Sequence, residues 1–198
     1  TSNSSNYTGR YKNNGDGTFS EQTDINLTGV SYSSVKWGDY DNDSYLDILL
    51  TGMKGYSPDY VPVTKIYRNN HDETFAELTG LSVKNVGLSS AEWGDYNNDG
   101  FLDVLLTGYS TSNLEFRIYL NNGQNQFIDL TALKIPGAYY CNTSSADYDS
   151  DGDLDILFTG NTGTFTSQIY RNNLYMMAGR IKPNVRPAAP SDLSAEIS

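Results

Sequence analysis

Aspartates recur at alternate positions in three short stretches of the chain, a spacing suited to binding a hard divalent cation. In the first stretch they stand at positions 1, 3, 5 and 9 of a loop, as Asp39, Asp41, Asp43 and Asp47. Carboxylates this close together repel one another unless a cation lies among them. Calcium accepts about six to eight oxygen ligands in tolerant geometry, whereas magnesium demands a near-ideal octahedron. The spacing therefore favours calcium.

The pattern recurs twice, each time followed by a Leu-Asp-aliphatic segment that ends in Thr-Gly. The corresponding residues are Asp95, Asn97, Asp99 and Asp103 in the second loop, and Asp147, Asp149, Asp151 and Asp155 in the third. One acidic turn can arise by chance, but three copies with the same following sequence indicate a shared structural unit. We therefore interpret these residues as metal ligands rather than as solvated turns or paired catalytic carboxylates.

The residues that follow each loop separate this pattern from an EF-hand or a dockerin-like helical module. An EF-hand places a bidentate glutamate at position 12 of its loop, on the helix that follows. Here position 12 is Leu50, Leu106 or Phe158, each within a short apolar run. Short apolar runs bounded by turn residues are typical of buried strands. Each loop is thus predicted to lead into a strand.

Composition and charge predict an all-β protein that binds cations. The 198 residues are 37% hydrophobic and include 18 glycines and 16 tyrosines, without any long apolar stretch at helical spacing. This mixture is typical of short strands joined by tight turns. The net charge of -11 argues against nucleic acid as a partner, because phosphate binding needs clustered Lys and Arg. Eleven of the 24 acidic residues lie at ligand positions of the three loops, which gives the acidity a local explanation.

The chain offers few residues for covalent catalysis. Cys141 is its only cysteine and His71 its only histidine, so no intrachain disulfide can form. We expect Cys141 to be a small buried hydrophobic residue, and we expect no enzymatic activity because no nucleophile and base stand in a recognisable arrangement. There is also no run of about eighteen apolar residues to span a membrane as a helix.

The loops repeat with periods of 56 and 52 residues, which is typical of propeller blades or a solenoid. A second signature, an aromatic residue followed by Asn-Asn and then Phe, falls between the loops, as in Tyr67 to Phe75. Asn and Gly tolerate the positive φ of tight turns, so this signature predicts a hairpin. Each unit is predicted to hold four strands, which in the first unit lie near 33–38, 46–51, 64–69 and 74–78.

The segments after Thr-Gly, at 52–63, 108–116 and 160–166, vary in length and are predicted to be surface loops. They carry aromatic residues, namely Tyr56, Tyr60, Tyr109, Phe116 and Phe165. Two interpretations remain open for these side chains. They could stack on sugar rings in a lectin, or they could serve strand packing, for which aromatic residues are well suited.

The repeats divide the chain into a half unit at 1–30 and complete units at about 31–82, 83–134 and 135–181. Because residues Thr1 to Phe19 match only the second half of a unit, we expect the chain to be part of a larger propeller. The remaining blades would come from the parent chain or from a second copy. Residues 182–198 are rich in Pro, Ala and Ser and are predicted to be a linker. Their last dozen residues resemble the opening strand of a fibronectin type III domain.

The segments WGDYDNDxxLDILLTG and IYxNNxxxxF resemble FG-GAP/VCBS repeats, the blades of integrin-α-like β-propellers, over roughly residues 1–180. The resemblance implies a propeller with calcium in the loop between the first two strands of each blade, and a role in secreted or cell-surface adhesion proteins. It implies about three calcium ions, held by the twelve loop side chains named above. It also implies a backbone carbonyl ligand at position 7, from Tyr45, Phe101 and Asp153.

The chain departs from the family pattern in several places. The literal Phe-Gly and Gly-Ala-Pro strings are absent, and position 6 is Gly100 and Gly152 in two loops but Ser44 in the first. Asn97 replaces a carboxylate, which lowers the ligand charge of the second loop and predicts weaker calcium binding there. The third loop follows Ser145-Ala146 in place of Trp-Gly.

These patterns predict a calcium-binding structural or adhesion module of a secreted or cell-surface protein. Its partner would be an extracellular protein or a glycan. A carbohydrate-binding lectin-like propeller and an accessory domain of an extracellular enzyme are the alternatives.

Overall fold

The computed structural model describes residues 9–23, 25–130 and 133–172, together with the backbone of 193–196. In these residues all regular structure is β, in antiparallel pairs. No helix long and apolar enough to cross a membrane occurs among them. The all-β prediction is confirmed.

Three four-stranded sheets and one strand pair make up the described residues. The pair consists of β1 (Tyr11–Asn13) and β2 (Phe19–Glu21). The first sheet consists of β3 (Ser31–Gly38), β4 (Asp47–Lys54), β5 (Val61–Asn69) and β6 (Phe75–Glu77). The second consists of β7 (Gly87–Gly94), β8 (Asp103–Tyr109), β9 (Leu114–Asn121) and β10 (Phe127–Asp129). The third consists of β11 (Tyr139–Ala146), β12 (Asp155–Asn161), β13 (Phe165–Asn172) and β14 (Leu193–Glu196).

Strands follow one another across each sheet in chain order, which is the arrangement of a propeller blade. The second strand of each sheet is apolar on both faces, and in the second sheet each face packs on a different neighbour. Leu49 faces the second sheet in one buried cluster, while Ile48 and Leu50 face the opposite way in another. Leu105 repeats the role of Leu49 in the cluster between the second and third sheets. The core of the molecule therefore lies between the blades.

The Thr-Gly pair lies inside a strand and not at its end, which corrects the predicted loop boundaries. The first strand of each sheet carries a bulge, at which Tyr32, Leu88 and Tyr140 have φ angles of 47°, 52° and 50°. The bulge lies very close to the glycine of the second strand. A Cβ atom at Gly108 would lie only 2.6 Å from the Ser89 Cβ. Only glycine fits where the two strands approach each other this closely, and the second strand continues beyond it.

The connecting loops are consequently shorter than predicted, at 55–60, 110–113 and 162–164. Phe116, predicted to lie in a surface loop, lies in β9 with only 5% of its surface exposed. The other four aromatic residues of that set are exposed. Phe116 packs between the second and third sheets against Phe158 and Tyr170, so strand packing accounts for it.

The predicted linker at 182–198 lies outside the described residues except at 193–196, and residues 173–181, in which the fourth strand of the last unit was expected, lie entirely outside them. The described part, β14, pairs with β13 in the fourth position of the third sheet.

The half unit is described from residue 9 onward, where β1 and β2 form the hairpin that the sequence predicts.

Equivalent side chains differ in burial at the two outer faces of the described sheets. Leu157 is 49% exposed, whereas its counterparts Leu49 and Leu105 are fully buried by the sheet that follows each of them. At the opposite face, Trp37 is 57% exposed and Val35 is 56% exposed. The molecule thus presents an apolar sheet surface at each end.

Candidate metal centre

The three aspartate-rich loops connect the first and second strands of their sheets. In each sheet the residue before the loop pairs with the position-9 aspartate, as Gly38 with Asp47, Gly94 with Asp103 and Ala146 with Asp155. The strand pairing therefore closes the loop at both ends and gives the three loops the same length.

All three loops share one backbone conformation, which the position-1 aspartate stabilises. The carboxylate of Asp39 accepts hydrogen bonds from the backbone N–H groups of Asp43, at 3.0 Å, and Ser44, at 2.9 Å. Asp95 and Asp147 make the same pairs of bonds in the other loops. Positions 4 and 6 have positive φ throughout, as the tight curl requires. Ser44 adopts φ 72° where the other loops have glycine, which costs about 1 kcal/mol.

The curl brings the carboxylates of positions 1, 3 and 5 together. In the first and third loops one oxygen from each of these aspartates lies within 4.8 Å of the others. The two groups are Asp39, Asp41 and Asp43, and Asp147, Asp149 and Asp151. In the second loop Asn97 stands at position 3, and its amide donates to the Asp99 carboxylate at 2.9 Å.

Three carboxylate oxygens inside the loops are buried without a hydrogen-bond donor. They are Oδ1 of Asp41 and both oxygens of Asp149, of which Oδ2 forms an ion pair with Arg171, and the two side chains are 14% and 7% exposed. A buried anionic oxygen without a partner is costly unless a positive charge is close by. Arg68 and Arg171 supply one positive charge each to these carboxylates, and a divalent cation would neutralise the negative charge that remains. Carboxylate oxygen is also the ligand type that calcium prefers. The residues present therefore fit a calcium ion.

The position-9 aspartates have a different environment from the other three. Both oxygens of Asp103 accept backbone hydrogen bonds, from Tyr96 at 2.9 Å and from Asn121 at 2.8 Å. Asp47 and Asp155 make the equivalent bonds. Burial raises the pKa of Asp103 to about 7. These aspartates tie the loop to the third strand, and their role as ligands remains a prediction, as does that of the carbonyls of Tyr45, Phe101 and Asp153.

The first asparagine of each Asn-Asn pair stabilises the aspartate-rich loops. This role was not predicted from the sequence. Asn121, 1% exposed, donates from its side chain to the carbonyls of Leu102 at 3.1 Å and of Tyr40 at 2.8 Å. It thereby joins its own loop to the loop of the preceding sheet. Asn172 reaches the carbonyl of Tyr96 in the same way. The repetition of Asn-Asn was visible, but it indicated only a turn.

Two arginines and a histidine also contact the loops, again without a signal in the sequence. Arg68 Nε lies 2.7 Å from Asp41 Oδ2, and Arg171 pairs with Asp149. In the first loop His71 Nε2 lies 2.6 Å from Asp43 Oδ2, and this hydrogen bond lowers the pKa of Asp43. Cys141, the remaining candidate for chemistry, is partly buried, with its Sγ directed at the carbonyls of Leu88 and Thr107.

Up-and-down four-stranded sheets with an acidic loop after the first strand define a propeller-type repeat protein. Residues 1–50 and 95–158 match the FG-GAP-like repeat, which is more than half of the chain. The chain therefore belongs to the FG-GAP-like repeat family, and the resemblance found in the sequence is confirmed.

Among solved structures the fold is similar to that of a lectin from Agrocybe aegerita, described for its specific recognition of non-reducing terminal N-acetylglucosamine. The TM-score is 0.54 with 21% sequence identity, over 85% of this chain and 44% of that lectin chain. The similarity extends to the fold, and this chain spans less than half of the lectin's length. No curated protein sequence matches the chain significantly.

Proposed function

We propose that this chain is a calcium-stabilised, non-enzymatic binding module that acts outside the cell or at its surface. The observation that carries the proposal is the repeated loop, in which three carboxylates converge and a buried oxygen of Asp41 or Asp149 lacks a donor. Calcium, when bound, would supply the positive charge that offsets their repulsion. Positions 1, 3 and 5 would hold it through side-chain oxygens, while position 9 anchors the loop to the sheet.

Calcium bound at these loops would stabilise the fold rather than perform a reaction. Each loop joins two strands next to the inter-blade core, so metal binding would add to the free energy of folding. Extracellular modules of this kind can function with calcium dissociation constants of about 10⁻⁴ to 10⁻³ M. These arguments support an adhesion or interaction module of a secreted or surface protein.

Thermal unfolding tests the structural role of the metal. We expect the melting temperature to fall by several degrees when calcium is removed with excess EDTA, and to return when calcium but not magnesium is added. Asp149→Asn should reduce this difference, because it removes one of the three carboxylates that converge in the third loop. Asp59→Asn, in an exposed connecting loop, is the matched control. Identical melting curves in calcium and in EDTA would rule out calcium stabilisation.

Glycan binding is a second candidate. It is favoured by a cavity at the end of the third sheet that lies opposite its aspartate-rich loop. The cavity has a volume of about 340 Å³ and is lined by Tyr140, Thr159, Gly160, Asn161, Phe165, Thr166 and Ser167. Tyr140 and Phe165 are 69% and 93% exposed. Aromatic rings can stack on the apolar face of a sugar while hydroxyl and amide groups bind its hydroxyls. The recognition of N-acetylglucosamine by a lectin of similar fold supports this candidate.

A glycan array distinguishes sugar binding from the alternative that these exposed aromatic residues serve only strand packing. Binding by the wild-type protein should be lost in Tyr140→Ala and in Phe165→Ala, and it should persist in Tyr11→Ala, which removes an exposed tyrosine far from the cavity. If the wild-type protein binds no glycan, or if all three variants bind equally, the cavity is not a sugar site. The calcium proposal does not depend on this outcome.

A further inference from the structure

The residue before Asn-Asn on the third strand contacts the metal loop of the same blade in two of the three blades. This residue is Arg68, Leu120 or Arg171 in the three blades. Arg68 contacts Asp41 Oδ2 through Nε at 2.7 Å and Asp43 Oδ2 through Nη2 at 3.3 Å. Arg171 pairs with Asp149 Oδ2. In both blades the arginine thus contacts the position-3 carboxylate.

The second blade lacks both members of this pair. Position 3 of its loop is Asn97, and the third-strand residue is Leu120, which packs against the apolar cluster between the second and third sheets. The arginine therefore accompanies the carboxylate and is absent where the carboxylate is absent. The side chains at positions 1, 3, 5 and 9 together with this third-strand residue have the same net charge of -3 in all three blades, and Asp153 at position 7 adds one further carboxylate to the third loop.

The two arginines differ in how strongly water screens them. Arg171 and Asp149 have side chains that are 16% and 7% exposed, whereas Arg68 is 46% exposed. Water and salt screen the charges of an exposed ion pair more strongly than those of a partly buried pair. Among the described contacts, the effect of the guanidinium on its loop should therefore be larger in the third blade than in the first.

We propose that the third-strand residue is a built-in counterion that sets the calcium affinity of its loop. The inference rests on the proposed calcium binding. The guanidinium neutralises the position-3 carboxylate in the metal-free loop and competes with calcium for it. It thereby lowers the affinity of the four-carboxylate loops toward that of the three-carboxylate loop.

Removing the arginine should tighten calcium binding even though it removes a stabilising contact. Arg171→Leu and Arg68→Leu should each lower the calcium dissociation constant of one loop by about tenfold, because the remaining carboxylates attract the ion without a competing charge. Both variants should also melt at a lower temperature in EDTA and show a larger rise on adding calcium. Lys54→Leu removes one positive charge at the opposite end of the strands and should leave the calcium affinity unchanged.

The reciprocal exchange in the second loop keeps the proposal testable if an arginine variant does not fold. Asn97→Asp should tighten calcium binding in that loop by about tenfold. The double variant Asn97→Asp/Leu120→Arg should restore the wild-type affinity, because it recreates the pair present in the other blades. Isothermal titration at fixed ionic strength measures both.

The possible outcomes separate this inference from the proposed function. Unchanged or weaker calcium affinity in Arg68→Leu and Arg171→Leu, with three ions still bound by the wild-type protein, would overturn the counterion role alone. A double variant that binds as tightly as Asn97→Asp would overturn it as well. If the wild-type protein takes up no calcium, the proposed function and this inference both fail.

Discussion

The position-9 aspartate shows how a residue predicted to bind metal serves the fold. In Asp103 each carboxylate oxygen accepts a backbone hydrogen bond from a different part of the chain, Tyr96 in the loop and Asn121 at the end of β9. The side chain is fully buried, so neither N–H group has water as an alternative partner. The residue therefore holds loop and sheet together whether or not a metal is present.

Asp103→Asn should destabilise the protein even in the absence of metal. An asparagine offers one oxygen and places an NH₂ group against a backbone N–H, which leaves a buried donor unsatisfied. We expect a loss of about 2 kcal/mol in the free energy of unfolding, measured by urea denaturation in EDTA. Asp59→Asn should change this free energy by less than about 0.5 kcal/mol. A loss seen only in calcium would show that Asp103 acts purely as a ligand.

Residues whose role depends on local spacing could be predicted from the sequence, and those that act across the fold could not. The alternation of aspartates, which suits the binding of a cation, is visible within nine residues. The pairing of Arg68 with Asp41 and the bond from Asn121 to Tyr40 join residues 27 and 81 positions apart. Only the packing of strands places such residues together. Their repetition along the chain was the available signal, and it was interpreted as turn chemistry.

At the scale of elements, the Thr-Gly pair shows why strand ends were misplaced. Glycine and a short polar residue usually mark a turn, so the prediction ended strand two at residue 51. In the structure β4 continues to Lys54, because Gly52 makes room for the bulge of β3. Thr51 is fully buried, and its hydroxyl lies 2.9 Å from the hydroxyl of Ser89 in the next blade. Thr and Gly are thus required here by packing between strands and between blades, although the same pair of residues is typical of a turn.

Gly108→Ala tests this account of the Thr-Gly pair. The new Cβ would lie 2.6 Å from the Ser89 Cβ and 2.9 Å from the Gly87 carbonyl oxygen, so the bulge would have to shift. We expect a loss of about 3 kcal/mol in the free energy of unfolding. Gly100→Ala meets no neighbour within 4 Å and should cost only the positive-φ penalty of about 1 kcal/mol. Equal losses would show that backbone conformation rather than close approach selects these glycines.

At the scale of the whole molecule, the residues on the two exposed end faces are equivalent to residues that form the contacts between blades. Leu157 on the third sheet corresponds to Leu49 and Leu105, which the following sheets bury completely. Trp37 on the first sheet corresponds to Trp93, which stacks on Tyr40 of the preceding blade with ring centroids 5.9 Å apart. The two free faces therefore have the complementary surfaces of an inter-blade contact.

We expect copies of this chain to associate head to tail through these faces. Light scattering should show a mass that rises with protein concentration, and Leu157→Asp should shift the equilibrium toward the monomer, because it places a charge in the contact. Ile128→Asp changes an equally exposed apolar residue on the outer strand β10 and should have no effect. A monomer at all concentrations, or equal effects of both variants, would contradict this assignment.

The number of blades in a closed propeller is a property of the whole molecule that the sequence of the repeats does not determine. The periods of 56 and 52 residues predict one sheet per repeat, and the structure shows this. Closure depends on the angle between neighbouring sheets, which results from many packing contacts along the blades. No short pattern of residues encodes that angle.

Isothermal titration of calcium into the chelator-stripped protein tests the central claim most directly, because it counts the sites as well as measuring their strength. Magnesium serves as the control, since it fits a crowded carboxylate loop poorly. The account predicts about three calcium ions per chain, one for each loop, with weak magnesium binding. An absence of calcium uptake would contradict it and would show that the three loops are hydrogen-bonded turns in which the aspartates serve the backbone alone.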